Sequence, residues 1–259
     1  MTFEGSLRKF EGISLVDMDE VRLMNRIDTK YVLPKHLLTH ILDDIAQYYF
    51  ALEIDDQRIF PYESLYYDTT CNMMYNAHHN GKLDRYKVRM RKYVASDLCF
   101  LEVKRKVKGT RTLKNRRRIE YLETSLSDNA KQYIGRYTPF SEHELEAKIY
   151  TNFQRITLVK KSLDERVTID TELQFHFNNI ERKLEDIAII ELKRDKAAYN
   201  SVLVESLKRY RVFPEGFSKY CMGRALVESN IKSNNFKERI RKINKLSNGV
   251  NAQHNSHIS

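Results

Sequence analysis

Residues 87–93 read KVRMRKY, and basic and apolar residues alternate along this stretch up to position 91. In a β-strand alternate residues share a face, so Lys87, Arg89 and Arg91 lie on one side and Val88 and Met90 on the other. Like charges side by side on a sheet repel each other and destabilise it. A row of arginines becomes favourable where an anion accepts charge-assisted hydrogen bonds from it. The stretch therefore predicts a strand with an anion-binding face.

The same alternation recurs in further stretches, which are residues 26–33, 100–106, 114–120, 166–173 and 190–193. An ordinary half-buried sheet also alternates apolar and polar residues. Here, however, the polar positions are mostly Arg and Lys, which favours a shared charged interior. Apolar helical stripes, such as that of residues 34–49, can cover the opposite face. We therefore predict an α+β fold with a closed antiparallel β-barrel of about eight strands, a charged lumen and helices packed outside.

Composition limits the organisation of the chain and its partners. The chain has 259 residues, with 45 Lys and Arg against 35 Asp and Glu, and a net charge of +10 at pH 7. Such an excess predicts an anionic partner. The composition changes after Ser229, so we predict a domain over residues 1–230 and a basic tail over 231–259. Within that tail we expect a short helix over 231–246 and disorder over 247–259.

Cysteine usage and the lack of apolar segments indicate the compartment. Cys71, Cys99 and Cys221 are odd in number, widely spaced and without a CxxC pair. This pattern argues against a disulfide framework or a zinc site and favours reduced thiols. No stretch approaches the length of a membrane span, and the N-terminus has no apolar signal core. We expect a cytoplasmic protein without direct membrane insertion, which would need a membrane-protein partner to reach a membrane.

Several common binding motifs are missing from the sequence. It has no Walker GxxxxGK[ST] and no GxGxxG, which argues against a P-loop or kinase-type nucleotide site. The basic run at 115–117 has no helix-turn-helix, zinc finger or RNP pattern beside it, so we predict no nucleic-acid partner. Adjacent strand residues point apart, so His78 and His79 are interpreted as loop residues and not as metal ligands. Tyr66, in the run YYD, is interpreted as part of the core and a turn.

Eight short segments follow the order found in the vacuolar transporter chaperone (VTC) domain. They are RIDTKYVLP, YYDT, KVRMRKY, FLEVKRK, LKNRRRI, ERVTIDTEL, IIELKRD and FPEGFSKY. Over residues 10–228 the chain resembles this family, the polyphosphate polymerase branch of the triphosphate tunnel metalloenzymes in the CYTH-like superfamily. The resemblance implies a stand-alone soluble form that transfers the terminal phosphate of ATP onto a polyphosphate chain. It also implies a divalent metal cofactor, Mn²⁺ or Mg²⁺.

The resemblance also assigns roles to residues of this sequence. The catalytic set that it implies is Arg89, Arg91, Lys104, Arg155, Arg166 and Lys193. Further phosphate-binding residues are Lys30, Lys87, Lys114, Arg116 and Lys219. Glu191 is the implied metal ligand, with Asp28, Asp170 or Glu172 as possible helpers. The wider superfamily opens with an ExExK strand, whereas this chain has RIDTK with Asp28 alone, so the predicted metal site has few carboxylates.

Two alternative functions remain open beside the polymerase. A metal-dependent hydrolase of the same fold would cleave a triphosphate, and a non-catalytic module would only bind polyphosphate. Phosphoryl transfer needs aligned phosphates and neutralised charge, so all three functions require the same cations. The expected ligands are therefore ATP or another triphosphate, and inorganic polyphosphate. Products and metal dependence distinguish the three.

Overall fold

The computed structural model describes residues 2–19, 26–107, 112–140, 145–195 and 200–254. The strands are β1 (Glu11–Ile13), β2 (Arg26–Pro34), β3 (Tyr49–Leu52), β4 (Phe60–Thr69), β5 (Arg85–Tyr93), β6 (Leu98–Lys106), β7 (Thr112–Ile119), β8 (Leu145–Lys160), β9 (Glu165–Phe177), β10 (Ile180–Leu184) and β11 (Ile187–Asp195). The helices are α1 (Phe3–Leu7), α2 (Leu15–Asp19), α3 (Leu38–Ile45), α4 (Met73–His79), α5 (Asp128–Tyr137), α6 (Val202–Arg209), α7 (Lys219–Val227) and α8 (Lys237–His254).

All the strands belong to one 11-stranded sheet, and its main path is β2-β11-β9-β8-β4-β5-β6-β7. The pairs along this path are antiparallel, and only the small β1–β3 pair is parallel. Within the described residues, β2 and β7 end the path and do not pair with each other. The prediction of a closed barrel is therefore wrong, because the sheet is open.

The two end strands show why the sequence pattern misled. Alternation of charged and apolar residues decides which way each side chain points, but not whether distant strands meet. The end strand β7 is exposed and rich in basic side chains, which disfavour further strand pairing. At the other end, the backbone N–H of Glu215 donates to the carbonyl oxygen of Lys30 in β2 at 2.7 Å. Both edges of the sheet are thus protected from pairing with further strands, although the sheet does not close.

Helices cover the apolar face of the sheet, as the sequence predicted. The stripe of α3, with Ile41 and Leu42 fully buried, packs on β-strand residues together with α1 and α6. On the same face, Val88 and Met90 of β5 are buried in a second cluster beside α5. The alternation in β5 therefore predicted its buried side correctly.

A third apolar cluster lies on the opposite face of the sheet, where α7 and α8 pack. Tyr220 of α7, Phe236 in the turn before α8 and Ile243 of α8 are buried there with Phe175 of β9. A Cβ at Gly223 would come within 2.4 Å of the Phe175 ring, so the close approach of α7 to β9 requires glycine. The helix α7 consequently covers one end of the face that carries the charged side chains.

Three local predictions can be compared with these elements. Helix α8 begins at residue 237 and continues to 254, past the end predicted at 246. The domain boundary at 230 and the disorder over 247–259 stay predictions, and residues 255–259 lie outside the described ranges. The interpretation of His78 and His79 as loop residues is wrong, since both lie in α4. No helix in the described part of the chain is both long enough and apolar enough to cross a bilayer.

Candidate functional site

The register of the sheet places the predicted strand residues on one face. Directly paired residues of neighbouring strands point to the same side. The face can therefore be followed from β2 to β7 through Lys30↔Glu191, Lys193↔Arg166, Asp170↔Arg155, Arg155↔Phe60, Ser64↔Arg91, Arg89↔Glu102 and Glu102↔Arg116. We call this side the charged face; its ionisable members include Asp28, Lys30, Lys87, Arg89, Arg91, Glu102, Lys104, Lys114, Arg116, Arg155, Arg166, Asp170, Glu191 and Lys193.

The charged face curves around the segment that leads into α7. Strands β2 and β5 are five steps apart along the sheet, which in a flat sheet would be about 24 Å. Glu215 nevertheless bonds to β2, and Ser218, three residues later, accepts a hydrogen bond from Lys87 of β5 at 2.8 Å. Three residues span at most about 11 Å. The sheet must therefore curl so that both strands reach the same segment.

Glu102 is the centre of the first cation cluster. Its carboxylate is fully buried, accepts from Arg89 Nε at 2.7 Å and pairs with Lys114 Nζ at 2.5 Å, with Lys104 Nζ at 3.9 Å. Burial alone would raise the pKa of Glu102, but Arg89, Lys104 and the other nearby cations hold it well below its usual range. One carboxylate is thus shared by three cations, which leaves this part of the face positive.

Asp170 organises a second cluster that joins the sheet to α7. Both of its oxygens accept from Arg155, at 2.6 and 2.8 Å, and Lys219 also donates to it. Burial lowers the pKa of Lys219 to about 8, against the opposing effect of Asp170. The ion pairs bring Lys219, from the first turn of a helix, to the same face as the strand residues.

Glu191 lies in a third cluster. The residues around it show whether the implied divalent metal ion would fit there. It pairs with Lys30 at 3.0 Å and with Lys193. Among the described residues, no three or more His, Cys, Asp or Glu side chains are grouped closely enough to hold a metal ion. Mg²⁺ commonly takes one or two protein carboxylates and fills its other positions with phosphate oxygens and water. The residues therefore fit a divalent cation that arrives with a phosphate substrate, and Glu191 is the residue that would hold it.

The proposed helpers of Glu191 have other partners. Asp170 is held by Arg155 and Lys219, and Glu172 pairs with Lys35 at 2.5 Å. Asp28 lies on the charged face directly opposite Lys193. Asp170, Glu172 and Glu191 are thus all paired with Lys or Arg side chains, and the choice of Glu191 as the residue that would hold a phosphate-bound cation rests on the family resemblance.

Arg91 differs from the other predicted arginines in its partners. It donates to Ser64 Oγ at 3.0 Å and lies 5.6 Å from the centres of the Tyr62 and Phe153 rings. In the described part of the chain no carboxylate forms an ion pair with it. Burial, with the neighbouring positive charge of Arg89, lowers the pKa of Arg91 to about 10. This guanidinium therefore presents an uncompensated positive charge to the face.

The remaining predicted residues lie toward the rim of the charged face. Arg116 is exposed on β7, with its guanidinium 5.0 Å from the centre of the Phe100 ring. Arg166 lies toward α2, with its Nη2 3.5 Å from the carbonyl oxygen of Met18. The structure thus places the strand cations on one face, but it gathers them in separate clusters and not in a single ring.

Sequence reasoning missed uncharged members of this face. Ser218 accepts from Lys87, and the Tyr66 hydroxyl accepts from Arg89 Nη1 at 3.1 Å. The next residue, Tyr67, is also a tyrosine and is buried on the opposite face of the sheet. No alternation marks such a residue. Its pairing with Arg89 across β4 and β5 is the signal that identifies it.

The family of this chain is identified by comparing its sequence with models of known protein families. The model of the VTC domain matches residues 25–228. The chain belongs to the VTC domain family. The resemblance to the VTC domain inferred from the eight segments is thereby confirmed. The matched region of this VTC domain contains every strand from β2 to β11 and also α7, whereas α8 lies beyond it.

Comparisons with individual proteins add distant similarities. No curated protein sequence matches the VTC domain described here. Among solved structures, a putative adenylate cyclase from Vibrio parahaemolyticus is 12% identical with a TM-score of 0.46, covering 78% of this chain and 99% of its own. A putative adenylyl cyclase from Hippeastrum, described as having a dominant triphosphatase activity, is 12% identical with a TM-score of 0.49, covering 79% and 98%. At this level of similarity they carry no argument about the VTC domain.

Proposed function

We propose that this VTC domain is a polyphosphate polymerase that transfers the terminal phosphate of ATP onto a polyphosphate chain bound on the charged face. The observation that carries the proposal is the excess of cations there. Seven strands and α7 contribute Lys or Arg side chains, and few carboxylates offset them. Burying charge without compensation is costly. A polyanion supplies the missing negative charge.

The residues suit the chemistry of phosphoryl transfer. In this step the bond between the β-phosphate oxygen and the γ-phosphorus of ATP breaks, and a terminal oxygen of the polymer bonds to that phosphorus as ADP leaves. The protein has to align the phosphates and neutralise charge as it develops. Arg89, Arg91 and Arg155 offer planar guanidinium groups, whose geometry suits phosphate oxygens, and Lys219 offers a point charge. A divalent cation at Glu191, when bound, would neutralise further phosphate charge.

The location and the ligands of the domain follow from the same proposal. ATP, or another triphosphate, and inorganic polyphosphate are its proposed ligands. The cytoplasm is its proposed location, which the free thiols of Cys71, Cys99 and Cys221 support. A membrane-protein partner would be required for action at a membrane.

Incubation of the purified protein with ATP and Mn²⁺ tests the proposal. Gel staining for polyphosphate and assays of ADP and free phosphate are made on the same samples. We expect long polymer and ADP with little free phosphate. Free phosphate without polymer would identify a hydrolase, and binding of polyphosphate without turnover would identify a binding module. Either result would overturn the polymerase proposal.

Glu191→Gln tests the role of the metal in the same assay. The amide keeps the size of the side chain but is a poor ligand for Mg²⁺ or Mn²⁺. We expect the variant to fold and to bind polyphosphate, because ground-state binding rests on many cations, while metal-dependent turnover falls at least about 100-fold. The matched control is Glu172→Gln, whose carboxylate pairs with Lys35 away from the three clusters. Unchanged turnover in Glu191→Gln would assign Glu191 to structure.

A further inference from the structure

Tyr66 places a phenol oxygen among the cations of the charged face. The residue is 4% exposed, lies directly opposite Arg89 in the pairing of β4 with β5, and stacks on Tyr220 of α7 with ring centres 5.2 Å apart. Arg89 Nη1 donates to its oxygen at 3.1 Å. The ring is therefore held in place by α7 on one side and by an arginine on the other.

Cations of two elements surround the Tyr66 hydroxyl. Burial alone would raise the pKa of this phenol, but Arg89, Arg91 and Lys87 of β5 together lower it. Lys219 of α7 also lies close enough to Tyr66 for the two groups to interact electrostatically. The phenol oxygen thus lies where residues from a strand and a helix concentrate positive charge, which is where an anion is most strongly attracted.

The proton of this hydroxyl has no acceptor among the described residues. A phenol oxygen accepts and also donates one hydrogen bond. The bond from Arg89 uses its acceptor side, so the donor side remains. We propose that Tyr66 is a substrate-contacting residue whose hydroxyl donates a hydrogen bond to a phosphate oxygen of the bound polyanion. The proposal rests on the anion-binding function proposed above for the charged face.

Loss of a neutral hydrogen-bond donor changes the salt dependence of phosphate affinity differently from loss of a cation. Each cation that contacts a phosphate makes affinity depend on salt, because exposed charges are screened. A hydroxyl contributes a short hydrogen bond to an anionic oxygen without adding charge. Loss of the Tyr66 hydroxyl should therefore weaken binding by the same factor at every salt concentration. Loss of an arginine should instead flatten the salt dependence.

Tyr66→Phe and Tyr67→Phe form a matched pair for the test. Both residues are buried in β4, but the Tyr67 hydroxyl donates to the carbonyl oxygen of Glu123 on the other side of the sheet. Tripolyphosphate affinity is measured by titration calorimetry at several salt concentrations. Hydrogen bonds to charged groups are stronger than those between neutral groups, so we expect Tyr66→Phe to bind roughly 10- to 100-fold more weakly with an unchanged salt slope. Tyr67→Phe should bind like the wild type.

Each alternative outcome is decisive. If the wild type binds tripolyphosphate and Tyr66→Phe binds equally well, the inference is overturned while the proposed function stands. If the wild type does not bind it at all, the proposed function fails and the inference fails with it. A flattened salt slope in Tyr66→Phe would show that the hydroxyl acts only by positioning Arg89.

A second measurement uses the wild type alone. Tyrosine ionisation is followed by ultraviolet absorbance as the pH is raised, with and without tripolyphosphate. A phosphate that accepts the Tyr66 proton favours the neutral phenol. We therefore expect the ligand to move the earliest tyrosine ionisation to higher pH, and an unmoved ionisation in the presence of bound ligand would count against the contact.

Discussion

Lys219 is a cation of the site whose charge changes close to neutral pH. Burial lowers its pKa to about 8, so its charge is lost as the pH rises through that value, well before exposed lysines titrate. We expect a fall in tripolyphosphate affinity across about pH 8 in the wild type that is missing in Lys219→Met. Titration calorimetry over a pH series measures it. The ionisation of the ligand is common to both proteins, so equal pH profiles would refute the role of Lys219.

Glu102 and Asp170 explain how the cations of an anion site can be held in position. Each is buried and accepts hydrogen bonds from an arginine while pairing with lysine. Without them, the neighbouring cations would repel one another and their side chains would lose a defined orientation. The carboxylates are too few to neutralise the face. They fix the geometry of the cations and leave a surplus of charge for the ligand.

Helix α8 stabilises the VTC domain from outside the region that the family model matches. Ile243, 2% exposed, and Phe236 are buried against α7 and the sheet, and Lys242 pairs with Glu215 in the segment before α7. Burial of a large apolar side chain contributes about 1.5–3 kcal/mol.

Two truncations measure this contribution by thermal denaturation. Deletion of residues 247–259 keeps Phe236 and Ile243, so we expect the melting temperature to stay within about 2 °C of the wild type. Deletion of residues 231–259 removes both side chains and should lower it by roughly 5–10 °C. Equal melting temperatures for the two truncated proteins would contradict the role of α8.

The strands show which features of the fold could be predicted from the sequence. The alternation in β5 correctly predicted that Val88 and Met90 are buried and that Arg89 and Arg91 share the other face. It could not predict an open sheet, because strand closure depends on backbone bonds between residues far apart in the chain. Nor could it find Tyr66, because Tyr66 and Tyr67 are adjacent residues of the same type that point to opposite faces. The clusters around Glu102 and Asp170 depend on register between strands, which no single strand encodes.

The surplus of buried cations should affect the stability of the entire domain. Ligands that bind only the folded state stabilise it by mass action. Tripolyphosphate or longer polyphosphate should therefore raise the melting temperature, and the rise should shrink at high salt. Replacing Arg89 and Arg91 together with Ala should abolish most of the rise, whereas Lys245→Ala on the exposed side of α8 should not. A rise lost in Lys245→Ala but kept in the double variant would refute the assigned site.

The ion pairs of Arg89 and Arg91 predict how the double variant melts in the absence of ligand. Arg91 has no carboxylate partner in the described part of the chain, so its removal relieves repulsion. Arg89 is paired with buried Glu102, and its removal leaves that carboxylate to Lys104 and Lys114. Arg91→Ala alone should therefore melt at or above the wild-type temperature without ligand, and the double variant should melt below it.

The order of strands in the sheet has a consequence for synthesis on the ribosome. Within the described residues, the strand partner of β2 is β11 alone, and residues 35–186 separate the two in the chain. At about 5–20 residues per second, β2 waits on the order of ten seconds or more for its partner to be made. During this time Tyr31 and Leu33 of the nascent strand are uncovered. Lys30 and Asp28 on its other side carry charges that discourage pairing with strands of other nascent chains.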